Sequence, residues 1–276
     1  MTAGPGDARR ARMLRRLGTA ALCLGLAVAA YAATVVFWRD PATDVYQRWR
    51  QHQLSAQLAR SFAAERAAAA RIEAVVRARS EPAPGLSALK AAASAYRARV
   101  ELGAPLGRLV VPRLSLDVVV VQGLRWGADL SRAPGHYPET PLPGAGGTAA
   151  VAGHRTTFGA PFRHIDRLRP GDTITFVLPY ARLVYRVGGH RIVDSHDWSV
   201  IAPRRFDALV LTACHPLWSA RQRWVVAGRL VRAELASGAV LEGAALSERR
   251  PRRAGSASLA GAPAASSSRA APRSRL

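Results

Sequence analysis

The chain has 276 residues, 40 basic against 18 acidic, a formal charge of +22 and 49% hydrophobic residues, so one ordinary domain with extensions and a real core fits the length. The excess charge does not mark a nucleic-acid binder, because much of it sits at the ends, in Arg9, Arg10, Arg12, Arg15 and Arg16 and again in Arg249, Arg250, Arg252, Arg253, Arg269, Arg273 and Arg275. Lys90 is the only lysine, and the arginine richness reflects codon bias as much as binding; with Cys23 and Cys214 as the only cysteines, no disulfide framework is implied either.

Residues 1–16 form a basic segment, and Leu17 to Trp38 follow without a charged side chain. At ~1.5 Å per residue that stretch crosses a bilayer core of ~30 Å. Ala30, Tyr31 and Ala32 resemble a signal-peptide cleavage site, but Val35 to Trp38 extend the apolar run beyond it, which favours an uncleaved anchor. Arginines precede it and only Arg39 closely follows it, beside Asp40, so the N-terminus is expected in the cytoplasm and the remainder outside.

Residues 39–105 read as a helical stalk. Leu54, Leu58, Phe62, Ala69, Ile72 and Val76 keep helical spacing, with Glu65 interrupting the stripe. Ser80 to Leu86 breaks that helix, and a short Ala-rich helix follows over Ser87 to Val100. These segments are expected to hold the following domain off the membrane, lying on a neighbour or on the membrane itself.

Over 106–234 the texture changes to short β-rich runs punctuated by Gly and Pro. Leu109–Pro112, Asp117–Val121, Thr148–Gly153, Thr173–Leu178, Arg182–Val187, His190–Val193, Asp207–Ala213 and Arg223–Val231 predict about eight strands, hence an all-β barrel or sandwich. Residues 235–276, rich in Ala, Ser and Arg, are expected to be a disordered tail.

Asp207 to Leu230 places Cys214 at the end of one strand and Arg223 at the start of the next. Taken alone, Cys214 reads as a small buried hydrophobe and Arg223 as a surface charge. Thiol chemistry also needs a proton shuttle and an oxyanion donor. His154 ends the run AAVAGH and, like Cys214, stands where a strand gives way to a loop; His215 adjoins the thiol but points to the opposite face of a strand. Tyr137 is a candidate wall of a peptide groove, equally explained by packing, and Trp218 a candidate groove lining. No tight cluster of His, Cys and carboxylates suggests a metal, so no cofactor is expected.

GHRTTFGAPF around His154, LTACHP around Cys214 and ARQRWVVAG around Arg223 resemble the signature of the sortases, with VPRL at Val111–Leu114, GHYPETPLPG at Gly135–Gly144 and the Gly171–Asp172 pair alongside. The resemblance covers roughly Leu106 to Glu234 and is closest to the class E group of high-GC Gram-positive bacteria. It implies an eight-stranded sortase-type β-barrel, with His154, Cys214 and Arg223 matching the catalytic trio and Thr212 and Ala213 beside the thiol in the substrate groove. It further implies surface proteins with a C-terminal sorting signal (LAXTG in preference to LPXTG) as substrates and a peptidoglycan precursor or other amine as acceptor. The family's TLTTC-like strand end is LVLTAC here, which touches subsite detail. A membrane-tethered cysteine peptidase and a non-enzymatic cell-wall-binding protein are the competing readings.

Overall fold

The structure, a computed structural model, describes residues 5–37, 41–79 and 84–246. Helix α1 spans Pro5–Phe37 and contains Met13–Thr34, 22 residues of mean hydropathy 1.7 with none of the window buried. It is long and apolar enough to cross a membrane. Trp38, Arg39 and Asp40 lie outside the described residues.

Helix α2 (Pro41–Ala78) and helix α3 (Pro84–Arg99) precede nine strands. These are β1 (Pro105–Val111), β2 (Leu116–Gln122), β3 (Gly135–His136), β4 (Thr148–Ala152), β5 (Thr173–Leu178), β6 (Ala181–Asp194), β7 (Ala208–His215), β8 (Gln222–Leu235) and β9 (Val240–Glu242). The strand order is β6-β5-β1-β2-β3-β4-β7-β8-β9, and an additional β6–β8 pairing closes the first eight strands into a barrel. Closure removes the edges that a twisted sheet would otherwise leave unpaired. Strand β9 extends the outer edge of β8 beyond the end of β7.

Eight barrel strands are expected and eight are found, but they are not the same eight. Arg182–Val187 and His190–Val193 are one continuous 14-residue strand, β6; the Gly188–Gly189 pair that reads as a break is a bulge, where the register against β8 shifts between Val187 and Gly189. The missing member is β3, two residues long, parallel to β2 and antiparallel to β4. A two-residue strand carries no periodicity for a sequence reading to detect.

The segments expected to be a spacer are packed on the barrel. Leu54 and Leu58 of α2 bury against Val119, Val121 and Ala133, while Ala69 and Val76 join Leu89, Ala92, Ala93 and Tyr96 of α3 in the main core. Glu65, the charge that interrupts the apolar stripe, pairs with Arg99 of α3 at 2.6 Å. Glu73, fully buried, accepts from the Ala236 and Ser237 amides at 3.1 and 3.3 Å and so fastens α2 to the end of β8. The core therefore begins before residue 106. It also runs past 234: Leu235, Leu241 and Leu246 all pack on it, so the first part of the expected tail is ordered, and residues from 247 lie outside the described ones.

Strand β7 is buried on both faces from Ala208 to Ala213. Its inner face fills the barrel, and its outer face packs with Ala150 and Val225 beneath Val200, which belongs to the short helical turn Trp198–Ile201. That double burial explains the near-continuous apolar run ALVLTA. Cys214, half-buried and on the wall of a cavity, is the first residue of this strand that is not fully buried.

Candidate active site

The site is built by register. β4 and β7 run parallel with Ala152 opposite Thr212, and the ladder continues past the strand end because the Gly153 amide donates to the Thr212 carbonyl at 3.0 Å. His154 therefore comes level with Cys214. In the antiparallel β7–β8 pair, Cys214 stands directly opposite Arg223. Imidazole, thiol and guanidinium thus follow one another across three neighbouring strands. They share a cavity of ≈ 360 Å³ with Tyr137, Thr212 and Ala213.

His154 sits in an aromatic enclosure. Its ring is 4.9 Å from that of Phe158 and 5.3 Å, edge-on, from that of Trp126, and the two aromatics meet at 5.8 Å. Burial pushes its pKa below the usual imidazole value. Nδ1 lies 3.4 Å from the Thr157 hydroxyl, and Nε2 is buried with no protein hydrogen-bond partner among the described residues. Arg223 is braced by its own loop: Nη1 donates to the carbonyls of Ala220 and Gln222 at 2.8 and 3.1 Å. Its remaining N–H groups are available to an incoming ligand. Tyr137 Oη shares a 2.9 Å hydrogen bond with Thr212 Oγ1, and burial pushes its phenol up although Arg223 opposes this.

Trp218 is not part of this cavity. It stands on the β7–β8 turn with φ 67°, and the indoles that line the pocket are Trp126 and Trp198, which like Trp218 are largely exposed. Trp126 stands in the loop after β2, far in sequence from every residue of the trio, so no local pattern signals it. His215 is directed away from the thiol: its Nδ1 accepts from Arg155 Nη1 at 3.0 Å and its ring packs on Trp224.

Arg155 also escapes a sequence reading. Although only 5% exposed, it ion-pairs with Asp166 at 3.0 Å, donates to the Arg163 carbonyl and lies over Trp224. It ties the residue after His154 to the residue after Cys214. The sequence signal is its place directly behind His154 in the GHR triplet.

A closed barrel with thiol, imidazole and guanidinium in one register row is an arrangement for acyl transfer to and from sulfur. Residues 109–231 match the family model described as a sortase domain, and the chain carries a sortase domain there. Relatives include sortase D of Bacillus subtilis, 30% identical over 135 residues (48% of this chain and 66% of that protein), and sortase SrtE1 of Streptomyces coelicolor, 32% identical over 148 residues (48% and 42%). The match thus spans less than two thirds of the length of each. Among solved structures, sortase E1 from Streptomyces coelicolor with a tripeptide in its active site is 30% identical, with a TM-score of 0.45, covering 48% of this chain and 90% of that one.

Proposed function

We propose that the chain is a membrane-anchored cysteine transpeptidase that cleaves a C-terminal sorting signal of LAXTG or LPXTG type between Thr and Gly and joins the surface protein to a cell-wall amine. The register row of His154, Cys214 and Arg223 carries this reading. The Cys214 thiolate attacks the Thr carbonyl carbon, and Arg223 N–H groups donate to the oxyanion that forms. The C–N bond then breaks, and His154 gives its proton to the departing glycine amine, leaving a thioacyl enzyme. An acceptor amine, from a peptidoglycan precursor or another donor, attacks the thioester; neutral His154 takes its proton, and Cys214 leaves as thiolate. Tyr137, Thr212 and Ala213 line the peptide groove. Preference for LAXTG over LPXTG is what the resemblance of the site motifs to class E sortases implies.

Helix α1 serves as the anchor in this reading, with the N-terminus cytoplasmic and the barrel outside, as the arginines before the apolar run suggest. The test is mass spectrometry of the full chain with LAXTG and LPXTG peptides. A thioester on Cys214, absent in Cys214→Ala, and amine-linked product at saturating amine are expected. Hydrolysed product alone at saturating amine would make the enzyme a peptidase, and no adduct with either peptide would remove the thioacyl step.

A further inference from the structure

Two residues along β8 from Arg223, a second cavity of ≈ 390 Å³ opens on the outer face of β6 and β8. Gly188 and Gly189 of the β6 bulge and Ala227 and Gly228 of β8 form its floor, which is bare of large side chains. A Cβ added at Gly189 would meet nothing within 4 Å. The charged walls are Arg191, Arg204 and Arg229, and no carboxylate belongs to the lining. A cavity of ≈ 460 Å³ adjoins it, sharing Arg204, Phe206 and Arg229 and adding Lys90, Arg205 and Asp207.

Lys90 acts on Asp207, but the arginines are not paired from within. Among the described residues, Arg191, Arg204, Arg205 and Arg229 form no ion pair. Asp207 is turned inward, its oxygens taken by Tyr185 Oη at 2.7 Å and the Gly146 amide at 2.9 Å. Asp197 is near enough to Arg191 to feel its charge without pairing. Arg204 is half-buried and its pKa is pushed down, by burial first and then by Arg191. Arg229 is oriented by the Phe206 ring, 4.7 Å beneath its guanidinium. A chain rich in arginine exposes many of them, but here three converge on an open glycine floor that a side chain would fill.

We propose that this trough binds a phosphate-bearing ligand through Arg191, Arg204 and Arg229. Guanidinium forks match phosphate oxygens in bidentate fashion, and three of them suit a multiply charged group such as a diphosphate better than a single carboxylate. Val225 pairs with Arg191 in the β6–β8 ladder and lies two positions from Arg223, so the trough begins about 7 Å from the thiol row. Binding there is independent of thiol chemistry.

Calorimetric titration of the full chain in detergent tests this, with inorganic pyrophosphate as probe and dihexanoyl phosphatidylglycerol against dihexanoyl phosphatidylcholine as the lipid arm. Arg204→Gln should weaken pyrophosphate binding about tenfold, and Arg191→Gln with Arg229→Gln further. Gly189→Glu, which leaves every arginine in place but sets a carboxylate on the floor, should abolish it. Cys214→Ala, and the charge-matched pair Arg167→Gln with Arg169→Gln, should bind as wild type. Trough-dependent binding of phosphatidylglycerol as well would identify a lipid headgroup as the source; pyrophosphate alone would identify a soluble or wall-borne phosphate. Equal affinity in all variants, equal weakening in the charge-matched pair, or no binding of either probe would overturn the proposal.

Discussion

At the scale of single residues, the proposed mechanism separates groups that react from groups that hold them. If the proposed mechanism holds, replacing His154 by Ala should lower kcat/KM by about 10²–10⁴-fold, the usual loss of a general acid, and Arg223→Lys by about 10²–10³-fold, because an ammonium does not reproduce the fork that the Ala220 and Gln222 carbonyls brace. Both are read with a sorting peptide under first-order conditions. Trp126 packs edge-on against His154. Burial lowers the His154 pKa, so its acid form is lost as pH rises through a value below 6.5. Trp126, itself 72% exposed, shields one edge of the ring, so in Trp126→Ala the limb of the kcat/KM profile that reports His154 should move slightly to higher pH. A profile that falls in height without moving would assign Trp126 to substrate contact only.

At the scale of elements, α2 has a role that its weak periodicity hides. Gln47 donates to the Ser131 carbonyl at 2.7 Å, in the loop that carries Trp126, and its side chain fills the space where a Cβ on Gly159 would stand, next to Phe158. One helix residue thus supports both walls of the His154 enclosure. The supported loop is strained: Phe158 and Ala160 have φ of 50° and 44° around Gly159 at 70°, a left-handed run that only surrounding contacts maintain. Gln47→Ala should reduce kcat/KM roughly ten- to a hundredfold and shift the His154 limb, with the fold retained by circular dichroism. Arg155 links the ends of β4 and β7 in the same manner, which keeps His154 and Cys214 level.

At the scale of the whole molecule, α2, α3 and the barrel share one core, and truncation should show it. Removing residues 1–40 should leave a folded protein. Removing 1–105, a cut at the boundary suggested by composition, exposes the faces covered by Leu89, Ala93 and Tyr96, at about 1.5–3 kcal/mol for each large side chain lost, and should yield aggregated material in gel filtration. Two buried groups give acid stability opposite signs. His136, fully buried on β3, has its pKa lowered to about 4 by burial, so the unfolded chain binds the extra proton between about 6.5 and 4 and stability falls as pH drops through that window. Asp207, raised to about 6 by burial, binds its proton more readily when folded, so stability is lost as pH rises from about 3.8 to 6. Each is worth on the order of 3 kcal/mol. Wild type should therefore melt at a nearly constant temperature between pH 4 and 6, His136→Gln should grow more stable on acidification, and Asp207→Asn less.

Sequence alone determined whatever depends on residue type and short spacing: an apolar helix at the N-terminus, the alternation of β runs with Gly and Pro, and Cys214 and Arg223 on adjoining strand ends. His154 was legible because its GHRTTFGAPF context is local. Tertiary structure alone decided what depends on neighbours distant in the chain. Strand β3 exists only because β2 and β4 flank it, and Gly188–Gly189 is a bulge because β8 continues alongside. Trp126, not Trp218, lines the cavity because the loop after β2 brings it against the imidazole. His154, Cys214 and Arg223 stand in one row because β4, β7 and β8 are neighbours in a closed sheet, and register is a property of pairing that no single strand encodes.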